Sequence, residues 1–220
     1  GEKEDFLKNV SLKLSGGDKV CLAGYNGAGK SLLLQFMAGL YDDFRGRISY
    51  NGIPLGNWYK EDLHKIIGDN LIKEEIFKGT LFENISLGKP YVSHEEVQEI
   101  SKVVGLDKFV KAQEDGYNAA LIPGGRNLPK STRLKIILAR CLVGKPKVIL
   151  IENSFNLLSD VNKKSFIQYL LQVNATVVLI SNDAKVASQF GRNIVMKDGE
   201  IFADAEFSSL ANEPWFNEVY

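Results

Sequence analysis

Gly24-Tyr25-Asn26-Gly27-Ala28-Gly29-Lys30-Ser31 sits between a short apolar run at 18–23 (DKVCLA) and a helix-like run at 32–40 (LLLQFMAGL). Strand, glycine-rich turn and helix, in that order, open an α/β fold. The octet also fits G-x-x-x-x-G-K-S, a pattern with a physical reason behind each fixed position. Glycine permits backbone bends that an L side chain resists, so successive N–H groups turn inward and make a nest for an anion. The following helix adds the positive end of its dipole. Lys30 is placed to reach the β- and γ-phosphates of a nucleotide, and the Ser31 hydroxyl to ligate Mg²⁺. The candidate nucleotide-binding residues are therefore Gly24, Tyr25, Asn26, Gly27, Ala28, Gly29, Lys30, Ser31 and Leu32. A bare glycine turn with a surface lysine is the plainer alternative; the matched strand and helix on either side weigh against it.

Outward from the loop, the chain reads as alternating elements. Residues 47–50 followed by Asn51-Gly52 suit a strand and a tight turn, and Ile66-Ile67 marks a further strand. From about 81 to 142 the character turns helical. Ser93 with Glu96 predicts a capping box ahead of Val97, Ile100, Val103 and Val104. Leu134, Ile137, Leu138, Cys141 and Leu142 keep helical spacing, and Gly144 with Pro146 closes that helix. The runs VILI at 148–151 and TVVLI at 176–180 are unbroken, as strands covered on both faces of a parallel sheet are. Residues 161–171 leave room for a crossover helix between them, and a hairpin turning at Asp198-Gly199 ends the pattern. The expectation is one domain over 1–220, with a core at about 1–71 and 144–220 and a helical insert at about 72–143.

Composition narrows the function classes. Of 220 residues, 45% are hydrophobic and 25% charged, which excludes collagen, coiled coil and wholesale disorder. Lysine and arginine number 27 and so do aspartate and glutamate, so the basic footprint of a nucleic-acid binder is missing. Cys21 and Cys141 lie far apart in apolar surroundings and read as reduced core residues of a cytoplasmic protein. No apolar run approaches the roughly 20 residues that cross a bilayer, and no signal peptide opens the chain. Gly1 in place of methionine reads as an excised piece, whose parent polypeptide is free to carry membrane spans.

Several phrases together resemble the nucleotide-binding domain of an ABC transporter of the exporter type. Phe6-Leu7-Lys8-Asn9-Val10-Ser11-Leu12 is similar to that family's strand ahead of the phosphate loop. Phe77-Lys78-Gly79-Thr80-Leu81-Phe82-Glu83-Asn84-Ile85 resembles the exporter phrase LF-x-GT-I-x-EN-I. Ala139-Arg140, then Lys145-Pro146-Lys147-Val148-Ile149-Leu150-Ile151, resembles the approach to the magnesium-binding strand. The resemblance implies an α/β P-loop fold of the ABC type: a mostly parallel core sheet, an inserted helical subdomain and an N-terminal antiparallel β region. It implies ATP and Mg²⁺ as ligands, and a transmembrane exporter domain, fused or separate, as partner. It further implies a second nucleotide-binding domain in a head-to-tail dimer, and a place at the cytoplasmic face of the cell membrane. Nucleic acid is not an expected partner.

The departures from the family pattern concentrate where that family does chemistry. Glu152 stands where the resemblance implies a metal-shell aspartate, and it keeps the charge on a longer stem, so Mg²⁺ binding is expected of Ser31 and Glu152. Asn153 stands at the general-base position, and an amide accepts no proton at neutral pH. A general base contributes roughly 100- to 10,000-fold in rate, so its loss is severe. Asn182 holds the place of the switch histidine and carries no charge. The signature LSGGQ reads Leu128-Pro129-Lys130-Ser131-Thr132: Pro129 lacks hydroxyl and backbone donor, while Lys130 and Ser131 replace glycines. Ile72 matches the magnesium-sensing glutamine, and Ser159 beside Asp160 the aspartate after the catalytic strand. The adenine-stacking aromatic falls ahead of Phe6 in the family pattern.

The resulting expectation is an ATP-binding module with weak or no hydrolysis, and no residue is assigned a confident catalytic role. Two alternatives stand beside it: an active transport ATPase using substitutes such as Lys130, and an interaction module that takes no nucleotide. A different P-loop enzyme, such as a small kinase, is disfavoured by the phrase around Thr80. His64 and His94 have no metal-ligand neighbours, and His94 reads as solvated. Trp58, Tyr59 and Phe77 fit either core packing or a membrane partner, and Trp215 and Phe216 either a docking patch or a final packed helix.

Overall fold

The computed structural model describes residues 6–71 and 76–220. Ile72, matched above to the magnesium-sensing glutamine, lies outside the described residues. In chain order, β1 (Lys19–Gly24) leads through the phosphate loop into α1 (Lys30–Met37). A short ribbon of β2 (Ser49–Tyr50) and β3 (Ile53–Pro54) precedes α2 (Lys60–Ile66) and β4 (Ile67–Asp69). The insert holds β5 (Gly79–Thr80), α3 (Leu81–Ser86), α4 (His94–Val104), α5 (Asp107–Lys111), β6 (Ala120–Leu121) and α6 (Lys130–Leu142). The chain returns through β7 (Val148–Ile151), α7 (Asp160–Gln172), β8 (Thr176–Ile180) and the single turn α8 (Ala184–Ala187). The hairpin β9 (Arg192–Lys197) and β10 (Glu200–Ala205) is followed by single-turn helices at Phe207–Leu210 and Phe216–Val219.

The main sheet has the order β10-β9-β1-β8-β7-β4. Its pairings are parallel from β9 to β4, and β10 joins antiparallel at the β9 edge. Every residue of β7 and β8 is buried, which is why both lack polar alternation. Side-chain alternation divides the core between the two faces. Val20, Leu22, Leu150 and Val178 pack with Leu33 and Leu34 of α1 and Leu63 of α2. Cys21, Ile149, Val177 and Leu179 face the other way, onto α4, α6 and α7. The insert thus shares one apolar cluster with the sheet.

Close packing of α6 explains Gly68 in β4, where an added Cβ would stand 1.9 Å from the Cys141 carbonyl oxygen. Along α6, Ile136 is fully buried while Ile137, expected in the apolar stripe, is only partly so. Asn51 and Gly52 take positive φ of 51° and 80°, the tight turn expected of that dipeptide.

Local expectations fail at two places. Residues 6–14 are not assigned as a strand, although Val10, Leu12 and Leu14 are half-buried in alternation with exposed Ser11 and Lys13. The backbone here is tied down piecemeal instead. Lys8 N donates to Gly199 O at 2.8 Å, and an Arg192 guanidinium nitrogen to Lys13 O at 2.9 Å. Among the described residues, antiparallel pairing occurs in the β2–β3 ribbon, the β5–β6 pair and the β9–β10 hairpin.

At α4, Ser93 accepts from Glu96 N as expected, but the Glu96 carboxylate accepts from Gly144 N at 2.8 Å, tying α4 to the end of α6. The reciprocal capping box is at α3, where Thr80 and Glu83 satisfy each other's backbone N–H groups.

Candidate nucleotide site

Parallel strands place their carboxyl ends on one edge of the sheet, where α/β proteins bind ligands. Gly24 closes β1, Glu152 follows β7, Asn70 follows β4, and Asn182 lies two residues beyond β8. Register brings them level: Leu22 pairs with Ile180, so Gly24 and Asn182 stand opposite one another. Asp69 pairs with Leu150, which sets Asn70 beside the last residue of β7.

The loop itself is compact. Gly24 has φ 142°, and an added Cβ would lie 2.2 Å from Met196 O in β9, so the neighbouring strand leaves no room for a side chain. Tyr25 N donates to Met196 O at 3.1 Å and Ala28 N to Tyr25 O at 3.2 Å. Gly27 and Gly29 take φ of 77° and 89°, and Gly29 leads directly into α1. Lys30 Nζ reaches back across the loop to Gly24 O at 2.7 Å and Tyr25 O at 2.9 Å. Partial burial pulls its ammonium below the usual lysine range. Asn26, Gly27 and Ser31 are exposed, Leu32 is half-buried and Ala28 is buried. Tyr25 Oη donates to Glu218 at 2.8 Å, and this bond raises the phenol above its ordinary value. Lys197 Nζ lies 4.9 Å from the centre of the Tyr25 ring. The loop is therefore braced from the C-terminal turn as well as from β9.

Glu152 is half-buried, and its backbone N–H donates to Asn70 Oδ1 at 2.8 Å. Asn70 Nδ2 in turn donates to Ser154 Oγ at 2.6 Å, so one buried amide fixes the turn after β7. Asn153 is exposed at the start of the turn Asn153–Leu157, and its Oδ1 accepts from Asn156 Nδ2. Asn182 turns its amide onto Gly24, accepting from Gly24 N at 3.2 Å and donating to Gly24 O at 2.9 Å.

The signature residues stand elsewhere, at the start of α6. Pro129 is the N-cap and supplies no side-chain acceptor, while Pro129, Lys130 and Ser131 are exposed and Leu128 and Thr132 buried. Among the described residues no group of three or more His, Cys, Asp or Glu is arranged to hold a metal. One hydroxyl and one carboxylate, Ser31 and Glu152, fit the demands of a hydrated Mg²⁺ that shares its shell with phosphate oxygens.

The remaining candidates are structural. Cys21 and Cys141 are buried and not joined in a disulfide, and burial pushes the Cys21 thiol up to about 12. His94 is exposed, with its ring stacked on Phe82 at 4.0 Å. Trp58 packs on the α1 face, whereas Tyr59 is exposed. Phe77 is partly exposed and carries the Arg140 guanidinium over its ring. Trp215 and Phe216 pack against the sheet edge with Phe202 and Tyr220, as a final packed turn. Asn70 and Glu218 escaped the sequence reading because their partners lie 82 and 193 residues away.

Comparison with known proteins places these features in one family. A family model described as ABC transporter matches residues 7–156. The multidrug resistance protein pgp-1 of Caenorhabditis elegans is 28% identical over 93% of this chain and 16% of its own length. The alpha-hemolysin translocation ATP-binding protein HlyB of Escherichia coli O157:H7 is 27% identical over 94% of this chain and 30% of its own length. A solved structure of a bacterial Atm1-family ABC exporter with ATP bound superposes with a TM-score of 0.87 at 22% identity, over 99% of this chain and 39% of that one. The chain spans between 16% and 36% of the length of the curated relatives it matches.

Proposed function

The chain belongs to the ABC transporter family, and from that premise we propose that it binds Mg-ATP at the Gly24–Ser31 loop while hydrolysing it weakly or not at all. The observation that carries the binding half is the loop: an anion nest at a helix start, with Lys30 held across it. The nest and the Lys30 ammonium would hold the ATP phosphates, and Ser31 and Glu152 would hold Mg²⁺. Mg²⁺, when bound, would neutralise phosphate charge.

The weak-turnover half rests on three places in the chain: the base position, the switch position and the start of α6. Asn153 accepts no proton from a water molecule. Asn182 turns its amide oxygen and one amide N–H onto Gly24. Pro129 presents no donor at the start of α6, and Lys130 and Ser131 fill the space that glycines would leave open. Relatives named as translocation and multidrug resistance proteins support a role beside an exporter's membrane domain, at the cytoplasmic face of the membrane and paired with a second nucleotide-binding domain.

Paired calorimetry and phosphate release test the reading on the purified chain. Saturable Mg-ATP binding is expected, weakened roughly 10- to 100-fold in Lys30→Ala through loss of charge-assisted bonds, with phosphate release near background. Phosphate release that Lys30→Ala abolishes, at a rate typical of transport ATPases, would make it an active enzyme with substitute groups. Absence of binding at millimolar nucleotide would leave an interaction module.

A further inference from the structure

Asn182 occupies a place where a terminal-phosphate sensor is expected, yet its side chain is turned back onto the loop. The β1–β8 ladder pairs Leu22 with Ile180, and Ser181 N still donates to Leu22 O at 3.2 Å. One residue further on, a side chain continues the pairing: Asn182 Oδ1 accepts from Gly24 N and Asn182 Nδ2 donates to Gly24 O. A carboxamide presents donor and acceptor side by side, the same pair that a neighbouring strand would offer. We propose that Asn182 is a positioning residue that clamps Gly24 and holds the mouth of the phosphate loop in its binding shape, instead of reading the terminal phosphate.

The chemistry of the Gly24 carbonyl shows what the clamp does. That oxygen accepts from Lys30 Nζ and from Asn182 Nδ2 together. When the ammonium leaves for a phosphate, the oxygen of this buried residue needs another donor or is left unsatisfied, which is unfavourable. Asn182 stays in place and supplies that donor. Lys30 is thereby released to the ligand at low cost, while the bend at Gly24 keeps its shape. Histidine at this position fails as a clamp, because its two ring nitrogens point away from one another and cannot both face one residue.

The inference rests on the nucleotide-binding reading, and ADP separates the two. A loop clamp serves the phosphates common to ATP and ADP, whereas a terminal-phosphate sensor serves ATP alone. Calorimetry with Mg-ATP and with Mg-ADP is run on the native chain, Asn182→Ala and Asn182→His, alongside thermal melting without nucleotide. Both variants are expected to lose roughly five- to tenfold in affinity for each nucleotide, with the ATP-to-ADP ratio unchanged. Loss confined to ATP in Asn182→Ala, or tighter ATP binding in Asn182→His, overturns the clamp. So does a fall in melting temperature with both affinities intact, since the bond would then serve the fold alone. If the native chain binds neither nucleotide, the function proposed above fails, and amide exchange at Gly24 then decides the clamp. Faster exchange at Gly24 in both variants, with the β8 amides still protected, upholds it; unchanged exchange refutes it.

Discussion

The phosphate loop and the start of α6 are both helix beginnings, yet they have been built to opposite ends. At the loop, glycines open the backbone, and β9, Asn182 and the Tyr25–Glu218 bond brace it from several sides. At α6, a proline caps the helix without a side-chain acceptor, and Pro129, Lys130 and Ser131 stand exposed. A site kept for binding retains a constrained backbone that few residues satisfy. On the function proposed above, the start of α6 is released from that duty and need only begin a helix.

That contrast is open to attack by substitution. Gly24→Ala is expected to cost about 4–5 kcal/mol, because Cβ would meet the Met196 carbonyl at 2.2 Å in a backbone region that side chains avoid. A denaturant midpoint close to the native one would mean the loop is far less constrained than its packing implies. Titration probes the buried floor of the loop. The Cys21 thiol has its pKa raised from 9.0 to about 12 by burial. The folded thiol therefore keeps its proton where the unfolded one has lost it. Its contribution is complete well below pH 9 and is lost as pH climbs toward 12, by about 2 kcal/mol between pH 9 and 11. Denaturation of Cys21→Ala across that range should show a correspondingly shallower decline than the native chain. At the other end, Pro129→Ser is expected to stabilise by about 0.5–1 kcal/mol, because serine caps a helix where proline here does not. A marked loss of stability instead would show that the start of α6 is as constrained as the loop.

Much of this architecture was legible residue by residue. Two unbroken apolar runs announced β7 and β8, and the spacing of glycines before Lys30 announced the loop, because buried strands and anion nests are local patterns. Thr80 and Glu83 also lie at capping-box spacing, which a scan for that pattern would have found. Other features had no local signature. Ser93 and Glu96 had the spacing of a box, but the Glu96 carboxylate found Gly144, 48 residues away, once α4 lay against α6. Residues 6–14 had the alternation of a strand without a paired strand alongside, so they run tied at single points.

The order of amino acids alone determined that this chain has an α/β core, a glycine-rich loop at a helix start, and asparagine at 153 and 182. Tertiary structure decided what Asn182 and Asn70 do, since their partners are 158 and 82 residues distant and meet them only at the carboxyl edge of the assembled sheet. The reason is range. Backbone bends and burial periodicity are set by near neighbours along the chain, whereas a hydrogen bond between distant side chains exists only after the strand order has brought them level.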